Sequence, residues 1–335
     1  FATRDNMEFA LWGYDPGIFG TSMLSRVANS LYWTGRYIER SEHLARYLKV
    51  QYFSTLDAPM SQNKDFVLKS ILNMYGMDFD PFEEVDEPSM LLEVGLDAQN
   101  SNSLLATVFA ARENARSVRY TISTELWEVV NQYYLFIKEY SPEFFKTRGL
   151  YDFTVNAAKH CAIVRSYLDH TLVHDDVWVF INLGIHLERA AQIIRILSSK
   201  LQDITILSES EQGVNITLRQ YQWTITLKVL EAFDMHRRLH KNTLSQASAF
   251  DFLITHELFP RSLAYNLRQI QSLLLQLSHR QAEQDPLLFK AGKLASLVIY
   301  TEYQDVKSDL PDFLSEILTK IYGLHEAIEN EYFQI

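Results

Sequence analysis

The 335-residue chain is poor in the residues that mark several common protein classes. It has one cysteine, Cys161, which excludes an internal disulfide and a cysteine-based zinc or iron–sulfur site. No apolar run approaches the roughly 18 residues needed to cross a bilayer. Because Cys161 lies in the apolar stretch KHCAIVRSYL, we predict a buried thiol in a reducing compartment, which indicates a cytoplasmic protein.

Positive charge is also scarce in this chain. There are 31 Lys and Arg residues against 42 Asp and Glu residues, and the formal net charge is -11. Proteins that wrap nucleic acid or lie on an anionic membrane present basic surfaces, since both partners carry negative charge. We therefore expect neither nucleic acid nor a membrane as a partner.

Proline and glycine are few, and the rest of the pattern predicts helix. No proline interrupts residues 143–259, and apolar residues recur at steps of three and four from Met23 onward. Ser141-Pro142 and Asp285-Pro286 are typical of a helix cap followed by a first turn. The sequence predicts an all-α, single-domain bundle over residues 23–335. Its predicted helices are 23–52, 61–76, 101–140 (interrupted at most once), 142–170, 175–201, 215–240, 243–256, 260–280, 286–302 and 309–332.

Two segments depart from the helical pattern. Residues 1–22 are rich in aromatic residues and lack both the basic start and the continuous apolar stretch of a signal peptide. We interpret them as an extension, either a fused peptide or linker or a native lead-in to the first helix. Residues 76–89, GMDFDPFEEVDEPS, carry only acidic charges but lack the spacing of a calcium loop, which predicts a solvated connector.

One phrase occurs twice in the chain. Residues 32–48 read YWTGRYIERSEHLARYL, and residues 181–197 read INLGIHLERAAQIIRIL. Both follow the pattern Gly-x-x-aliphatic-Glu-Arg-small-x-x-aliphatic-x-Arg-x-Leu. On a helix this pattern forms an apolar seam whose small residues allow close approach, so we predict two related halves that face each other across a pseudo-twofold axis. The predicted seam residues are Val27, Leu31, Thr34, Ile38, Ser41, Ala45 and Leu48 in the first copy and Phe180, Leu183, Leu187, Ala190, Ile194 and Leu197 in the second.

The charged residues of the second copy lack partners on their own helix. Neither Glu188 nor Arg189 has an opposite charge three or four residues away, although their surroundings are apolar. A buried charge without a partner is costly. We therefore predict that the two copies exchange partners, Glu39 with Arg189 and Arg40 with Glu188.

Other polar and aromatic residues near the repeats could complete a binding groove. The segment RENARSVR (112–119) supplies further charges on another helix that could join the network. Tyr32, Trp33 and Tyr37 could line a groove in which arginine forks bind a carboxylate. The residues predicted to bind a ligand are Arg36, Glu39, Arg40, His43, Arg112, Glu113, Arg116, His186, Glu188 and Arg189.

Motifs for several other chemistries are missing. The chain has no P-loop, no Gly-x-Gly-x-x-Gly, no Glu-x-x-His and no His-Glu-x-x-His. His236 and His240 in HRRLH are one turn apart, but two flanking arginines would repel a cation, so we predict an exposed basic helix face. Asp175 in the HDD segment is predicted to cap the helix of the second copy. We expect no metal and no cofactor.

Four ordered blocks of the sequence resemble those of the bacterial Alpha-E proteins, a family named for an all-helical domain with a Glu-Arg motif. They are MLSRVANSLYWTGRYIERSEHLARYL (23–48), ARENARSVRYTISTELWEVVN (111–131), LGIHLERAAQIIRIL (183–197) and FPRSLAYNLRQIQSLL (259–274). His186 departs from the family pattern, in which Arg is frequent. The resemblance implies an association with circularly permuted ATP-grasp amidoligases, and therefore an amidoligase and a peptide as partners.

Three functions remain open from the residues and the resemblance. The first is a partner or co-catalytic component of an ATP-grasp amidoligase, in which the Glu-Arg helices hold a peptide. The second is a stand-alone enzyme with Glu39 or Glu188 as general base, because an apolar pocket can raise the pKa of a carboxylate. The third is a non-catalytic scaffold with a buried salt-bridge core.

Overall fold

The computed structural model describes residues 23–54, 64–80, 82–145, 149–210, 216–241, 244–278 and 285–334. Within these ranges the regular structure is helical and no residue lies in a β-strand, which confirms the predicted all-α class. The interpretation of residues 1–22 falls outside the described residues. The helices are α1 Ser25–Ser54, α2 Lys64–Tyr75, α3 Glu87–Leu96, α4 Leu104–Ser117, α5 Thr124–Lys138, α6 Pro142–Phe144, α7 Leu150–Thr171, α8 Asp176–Ser210, α9 Ile216–Val229, α10 Phe233–Leu239, α11 Gln246–Phe250, α12 Leu263–Leu277, α13 Pro286–Ile299, α14 Tyr303–Val306 and α15 Leu310–Tyr332.

The two longest helices, α1 and α8, pack against each other at the centre of the bundle. Helices α4 and α7 pack on α1, and α12 and α15 pack on α8. Helices α2 and α9 contact both central helices, while α5 covers α4 and α7 and α13 contacts α12 and α15. Because α1 and α8 carry the two copies of the repeated phrase, this arrangement places the copies face to face.

The apolar seams of both copies are buried, as predicted. Each fully buried aliphatic side chain of this kind contributes roughly 1.5–3 kcal/mol of transfer free energy relative to an exposed one. The central helices are therefore held in place mainly by their seams. The buried seam residues are Val27, Leu31, Thr34, Ile38, Ser41, Ala45 and Leu48 on α1 and Phe180, Leu183, Leu187, Ala190, Ile194 and Leu197 on α8.

One glycine in each copy allows α1 and α8 to touch backbone to backbone. A Cβ atom on Gly35 would lie 2.0 Å from the carbonyl oxygen of Ile181, and one on Gly184 would lie 2.1 Å from that of Tyr32. Tyr32 and Ile181 are the first residues of the two copies, so the contact is reciprocal. No side chain fits at either distance, which requires glycine at both positions.

Helix starts follow the capping chemistry of the sequence. The Ser141 hydroxyl accepts a hydrogen bond from the Phe144 amide, and the Asp285 carboxylate accepts from the amides of Leu287 and Leu288. At the start of α8, the Asp175 carboxylate accepts from the amide of the second helical residue at 3.0 Å. All three predicted caps are therefore confirmed. Further side-chain caps are Asp86, Ser103, Ser123, Ser245 and Ser262.

The acidic connector agrees with the sequence prediction, whereas the short helix after it is not predicted by apolar periodicity. The described residues between 76 and 86 are mostly exposed, which confirms a solvated loop. Helix α3 was not predicted, although Asp86 caps it and Pro88 lies in its first turn. This helix is only ten residues long, and it buries Met90, Leu91 and Val94 against the bundle. Its stability comes from those tertiary contacts, which a short window of sequence does not show.

Several long predicted helices are interrupted in the structure. The predicted break in 101–140 is confirmed between α4 and α5, and 215–240 divides into α9 and α10; within 142–170 the described helices are α6 and α7. The predicted helix 243–256 consists of α11 followed by a π-helical turn, Asp251–Thr255. In 215–240 the break occurs at Glu231, whose backbone adopts a left-handed conformation that no helix can continue.

The glycine contact generates a stability prediction. Gly35→Ala and Gly184→Ala each place a methyl group against a backbone carbonyl, and relief requires separation of the two central helices. We expect each substitution to lower the free energy of unfolding by at least about 3 kcal/mol, measured by urea unfolding followed by circular dichroism.

Gly323→Ala on α15 is the matched control. The nearest neighbour of its added Cβ is the flexible Nζ atom of Lys290 at 3.5 Å, so the substitution is expected to be neutral or stabilising by up to about 1 kcal/mol. A loss below about 1 kcal/mol in either variant of the repeat would contradict the requirement for glycine.

Candidate functional site

The two Glu-Arg dipeptides exchange partners across the contact between α1 and α8. Arg189 donates from Nε and Nη2 to the two carboxylate oxygens of Glu39 at 2.6 and 2.8 Å. Arg40 donates in the same way to Glu188 at 2.7 and 3.0 Å. Both predicted pairs are confirmed. Glu39 and Glu188 are buried, so each carboxylate depends on a bidentate guanidinium in place of water.

The carboxylate of Glu188 has two further partners. Arg36 donates from Nε at 2.6 Å, and the side-chain amide of Gln192 donates at 2.8 Å. Arg36 also donates from Nη1 to the Tyr32 hydroxyl at 3.1 Å. Arg36 therefore binds Glu188 on the opposite helix, rather than Glu39 one turn away on its own helix.

The predicted aromatic groove is wrong in one essential residue. Tyr32 is completely buried, its ring stacks on His325, and its hydroxyl lies 2.9 Å from His325 Nδ1. Burial raises the pKa of Tyr32 to about 12. Trp33 and Tyr37 are half-buried and pack on the guanidinium groups of Arg36 and Arg40. Tyr32 is thus a support for Arg36 and is not a surface that a ligand reaches.

The carboxylate of Glu39 is also bound by its own helix and by α7. His43 Nε2 lies 3.0 Å from Oε1, and Arg165 Nη1 donates to Oε2 at 3.4 Å. Arg46 Nη2 lies 3.3 Å from His43 Nδ1. Because a guanidinium only donates, Nδ1 accepts and the ring proton lies on Nε2. His43 is therefore a neutral ring that donates to Glu39 and accepts from Arg46, and so links these two residues.

A third carboxylate, Glu42, joins the same side of the network. Arg46 donates to it at 2.9 Å, Arg261 donates to it at 2.8 Å, and Arg165 also pairs with it. Glu231, in the turn between α9 and α10, accepts a hydrogen bond from Arg46 at 3.1 Å and forms an ion pair with Arg261 at 2.6 Å. Residues from α1, α7, the α9–α10 turn and the segment before α12 thus meet at one point.

Guanidinium groups outnumber carboxylates in this network. Among the described residues its two groups of ion pairs contain six arginines and four glutamates, with two arginines around Glu188 and four arginines around Glu39, Glu42 and Glu231. The two histidines that contact it do not change the balance, because burial lowers the pKa of His43 and of His186 to about 4. We call these ten residues the Glu-Arg centre. They are Arg36, Arg40, Arg46, Arg165, Arg189, Arg261, Glu39, Glu42, Glu188 and Glu231.

Two guanidinium nitrogens of the Glu-Arg centre lack partners. Arg46 Nε and Arg261 Nη1 are buried, and neither has a hydrogen-bond acceptor within the described part of the chain. Burial, and then the neighbouring Arg261, lower the pKa of Arg46 to about 9, so it stays protonated at neutral pH. Unpaired buried donors on a charged group are costly, and an anion that reached them would be stabilised.

The proposed general bases have the wrong pKa. Burial raises the pKa of Glu39, but the contact with Arg189 outweighs burial and holds it well below the ordinary value. The pKa of Glu188 is likewise lowered, because Arg36 and Arg40 outweigh the effect of burial. A carboxylate is most effective as a general base when its pKa lies near the working pH. The lowered pKa values therefore disfavour Glu39 and Glu188 as general bases.

The charged residues of α4 do not join the Glu-Arg centre. Arg112 donates from Nε to Asn131 on α5 at 2.8 Å and pairs with Glu113, which also forms an ion pair with Arg116 at 3.0 Å. Arg112 packs over the ring of Trp127, also on α5. This group is a separate cluster between α4 and α5, and its predicted part in the network is wrong.

The predicted histidines have structural partners. His186 Nδ1 donates to the side-chain oxygen of Asn266 on α12 at 2.8 Å, next to Arg189. His236 is buried, with Nε2 3.2 Å from the Ser248 hydroxyl, and its ring stacks on His240. The prediction of an exposed basic face is therefore wrong for His236, because α10 turns this side chain toward α11.

Five residues of the Glu-Arg centre were missed by sequence reasoning. Arg46 occupies the arginine position near the end of the repeated phrase, and Glu42 is one turn before it, so the repeat itself held that signal. Arg261 lies in the block FPRSLAYNLRQIQSLL, which carries part of the family resemblance but no predicted binding role. Arg165 and Glu231 have no comparable signal, because only tertiary packing brings α7 and the α9–α10 turn to α1.

The described residues show neither a metal-binding cluster nor an activated thiol. They contain no group of three or more His, Cys, Asp or Glu side chains placed to hold a metal ion. Cys161 is buried as predicted, and burial raises its pKa to about 11, which makes it a poor nucleophile. In the described part of the chain, no helix is both long enough and apolar enough to cross a membrane.

The reciprocal pairs generate a stability prediction. Glu188→Gln removes the charge that Arg36 and Arg40 share in the interior, and we expect it to lower the free energy of unfolding by about 3–5 kcal/mol. The matched control is Glu316→Gln, because Glu316 pairs with Lys320 on the surface with its side chain 62% exposed. That control should cost less than about 1 kcal/mol in urea unfolding. Equal losses in the two variants would contradict a buried ionic centre.

The buried histidines generate a pH prediction. The folded pKa of His43, about 4, lies below its ordinary value of 6.5, so unfolding takes up a proton between these values. Its contribution to stability is complete above pH 6.5 and is lost as the pH falls toward 4. We expect His43→Gln to flatten the decline of the unfolding free energy in this window by about 1.4 kcal/mol per pH unit.

Urea unfolding at several pH values within this window measures the slope for the His43 variant. His170→Gln is the control, because His170 is exposed at the end of α7, and its slope should match that of the unsubstituted protein. An unchanged slope for His43→Gln would show that His43 is not a buried neutral ring.

Comparison with known proteins matches the region that carries the Glu-Arg centre. A family model described as a predicted alpha-helical domain with a conserved ER motif, Alpha-E, matches residues 23–333. The chain is similar to the uncharacterized protein Mb2597 of Mycobacterium bovis and the uncharacterized protein MT2643 of Mycobacterium tuberculosis, with 22% identity over 266 residues in both cases. These matches cover 74% of this chain and 29% of each relative, so the chain spans less than a third of their length. No solved structure matches.

The matched range includes both Glu-Arg dipeptides and the four sequence blocks that carried the resemblance. With a helical fold and two Glu-Arg dipeptides that pair across α1 and α8, the chain belongs to the Alpha-E family.

Proposed function

We propose that this chain is a partner or co-catalytic component of an ATP-grasp amidoligase system that makes or modifies peptides, and that its Glu-Arg centre binds an acidic group of the peptide. The observation that carries this proposal is the excess of guanidinium groups over carboxylates in a partly buried cluster. An anionic group supplied by a ligand would balance this excess. The resemblance to proteins associated with ATP-grasp amidoligases supports the choice of a peptide.

The outer side of the Glu-Arg centre is the part that a ligand can approach. The side chains of Arg165 and Arg261 are 24% and 15% exposed, whereas those of Glu39 and Glu42 are nearly inaccessible. A carboxylate can therefore reach the first two without separation of α1 from α8. Arginine forks suit this role, since they bind a carboxylate through two parallel hydrogen bonds.

The low pKa of Glu39 and Glu188 supports a partner rather than a stand-alone base. Charges fixed in bidentate pairs position groups well but accept protons poorly. A second candidate function is a non-catalytic scaffold, which is favoured by the burial of Glu39, Glu188 and Arg189 in the reciprocal pairs. The relatives are much longer than the region that they share with this chain. The activity of a whole protein of that length is therefore proposed for this chain only as a part of such a system.

A reconstitution tests the partner function. The purified chain, an ATP-grasp amidoligase from the same organism, ATP and an acidic peptide are combined, and mass spectrometry follows the peptide. We expect a modified peptide only when both proteins are present. Arg261→Lys keeps the charge but loses the fork, and should lower product formation by about tenfold, because one lost bidentate contact costs about 1.4 kcal/mol or more.

Arg116→Lys is the control for this experiment, because Arg116 lies in the separate cluster between α4 and α5 with its side chain mostly exposed. It should leave product formation unchanged. Turnover of the peptide by the isolated chain, or full activity of the ligase without the chain, would reject the partner function.

A further inference from the structure

One carboxylate of the Glu-Arg centre differs from the other three. Glu231 is the single non-glycine residue with positive φ in the described ranges, at 51°. Its side chain is 53% exposed, whereas those of Glu39 and Glu42 are 0% and 3% exposed. Glu231 is therefore attached to the centre from outside, on a strained turn.

The turn that carries Glu231 has the hydrogen bonds of a helix-ending motif that normally contains glycine. The Ala232 amide donates to the Leu227 carbonyl at 2.7 Å, and the Glu231 amide donates to the Lys228 carbonyl at 3.1 Å. Glycine is preferred at the left-handed position because a Cβ atom is unfavourable there. A glutamate at this position needs a compensating interaction, and the described contacts of its carboxylate are with Arg46 and Arg261.

The place that the Glu231 carboxylate occupies is rich in donors. Arg46 Nη1 donates to it and Arg261 Nη2 forms an ion pair with it, and the unpaired Arg46 Nε and Arg261 Nη1 belong to the same two guanidinium groups. The Arg46 side chain is only 3% exposed, so its unused donor is buried in this site. Arg165 lies next to both and pairs with Glu42. One exposed carboxylate therefore leaves buried hydrogen-bonding capacity unused.

The charge of the site sets the charge of a ligand that replaces Glu231. With Glu231 withdrawn, four guanidinium groups on this side face two carboxylates, which leaves two positive charges uncompensated. A dianion would neutralise them, whereas a single carboxylate would not. The guanidinium groups are Arg46, Arg165, Arg189 and Arg261, and the carboxylates are Glu39 and Glu42.

We propose that Glu231 holds the place of a ligand, and that the site formed by Arg46, Arg165 and Arg261 binds the two neighbouring carboxylates of a peptide that ends in Asp or Glu. Glu231 leaves the site when this peptide end enters. The side-chain and terminal carboxylates supply the two negative charges, and the guanidinium forks bind them. The choice of a peptide rests on the proposed function, but the binding test needs no ligase.

Isothermal titration calorimetry with the full chain tests this site. N-acetylglutamate serves as the probe of a peptide end with two carboxylates, and N-acetylglutamine serves as its analogue with one. We expect N-acetylglutamate to bind at least tenfold more tightly than N-acetylglutamine. Glu231→Gln removes the internal competitor and should tighten N-acetylglutamate binding by at least a further tenfold. The matched control is Glu113→Gln. It removes a carboxylate that pairs with Arg112 and Arg116 outside the Glu-Arg centre, so the affinity for N-acetylglutamate should not change.

Glu231→Gly provides an independent variant, because it removes the carboxylate and also relieves the left-handed backbone. It should remain folded by circular dichroism and bind N-acetylglutamate as tightly as Glu231→Gln does. The proposal would be overturned if N-acetylglutamate bound neither to the unsubstituted chain nor to Glu231→Gln or Glu231→Gly. It would also be overturned if its affinity were equal with and without Glu231. Preference for inorganic phosphate over N-acetylglutamate would overturn the assignment of a dicarboxylate. Binding as expected alongside failed reconstitution would reject the ligase partner and retain the site.

Discussion

The structure depends on two buried carboxylates that exchange guanidinium partners where α1 and α8 touch. A buried charge pair repays its desolvation only when the geometry is excellent, and here both pairs are bidentate. The backbone contact at Gly35 and Gly184 brings the helices close enough for each arginine to reach the opposite glutamate. The glycine and the Glu-Arg dipeptide of each copy therefore act as one unit, since the first sets the distance that the second requires.

The Glu-Arg centre has an inner part and an outer part with different physical properties. The inner part contains the reciprocal pairs, whose two carboxylates are buried and each bound by a bidentate guanidinium. The outer part, around Arg46, Arg165, Arg261 and Glu231, contains unused donors and a half-exposed carboxylate. This division allows the fold to keep its stability in one set of ion pairs while another set exchanges a partner. The proposed binding function belongs to the outer part.

Sequence reasoning reached the fold and the inner part of the centre for definite physical reasons. Helical periodicity predicted the bundle, and the missing local partners of Glu188 and Arg189 predicted the exchanged pairs. It failed where partner choice depends on packing: Arg112 pairs within its own cluster, and Arg165 reaches α1 only because of how α7 docks. Glu231 was beyond prediction, since a left-handed glutamate carries no sequence signal. The predicted pseudo-twofold relation between the halves remains a prediction beyond the reciprocal contacts at the repeats.

The separation in sequence between α1 and α8 has a consequence for how the chain assembles. Neither central helix can complete the backbone contact or the exchanged Glu-Arg pairs until the other arrives, and α2 to α7 lie between them along the chain. The entropy of closing that long connection must be offset before the central contact forms. The last central pairing therefore joins two parts of the chain that are far apart in sequence, and Glu39 and Glu188 acquire their bidentate partners only at that step.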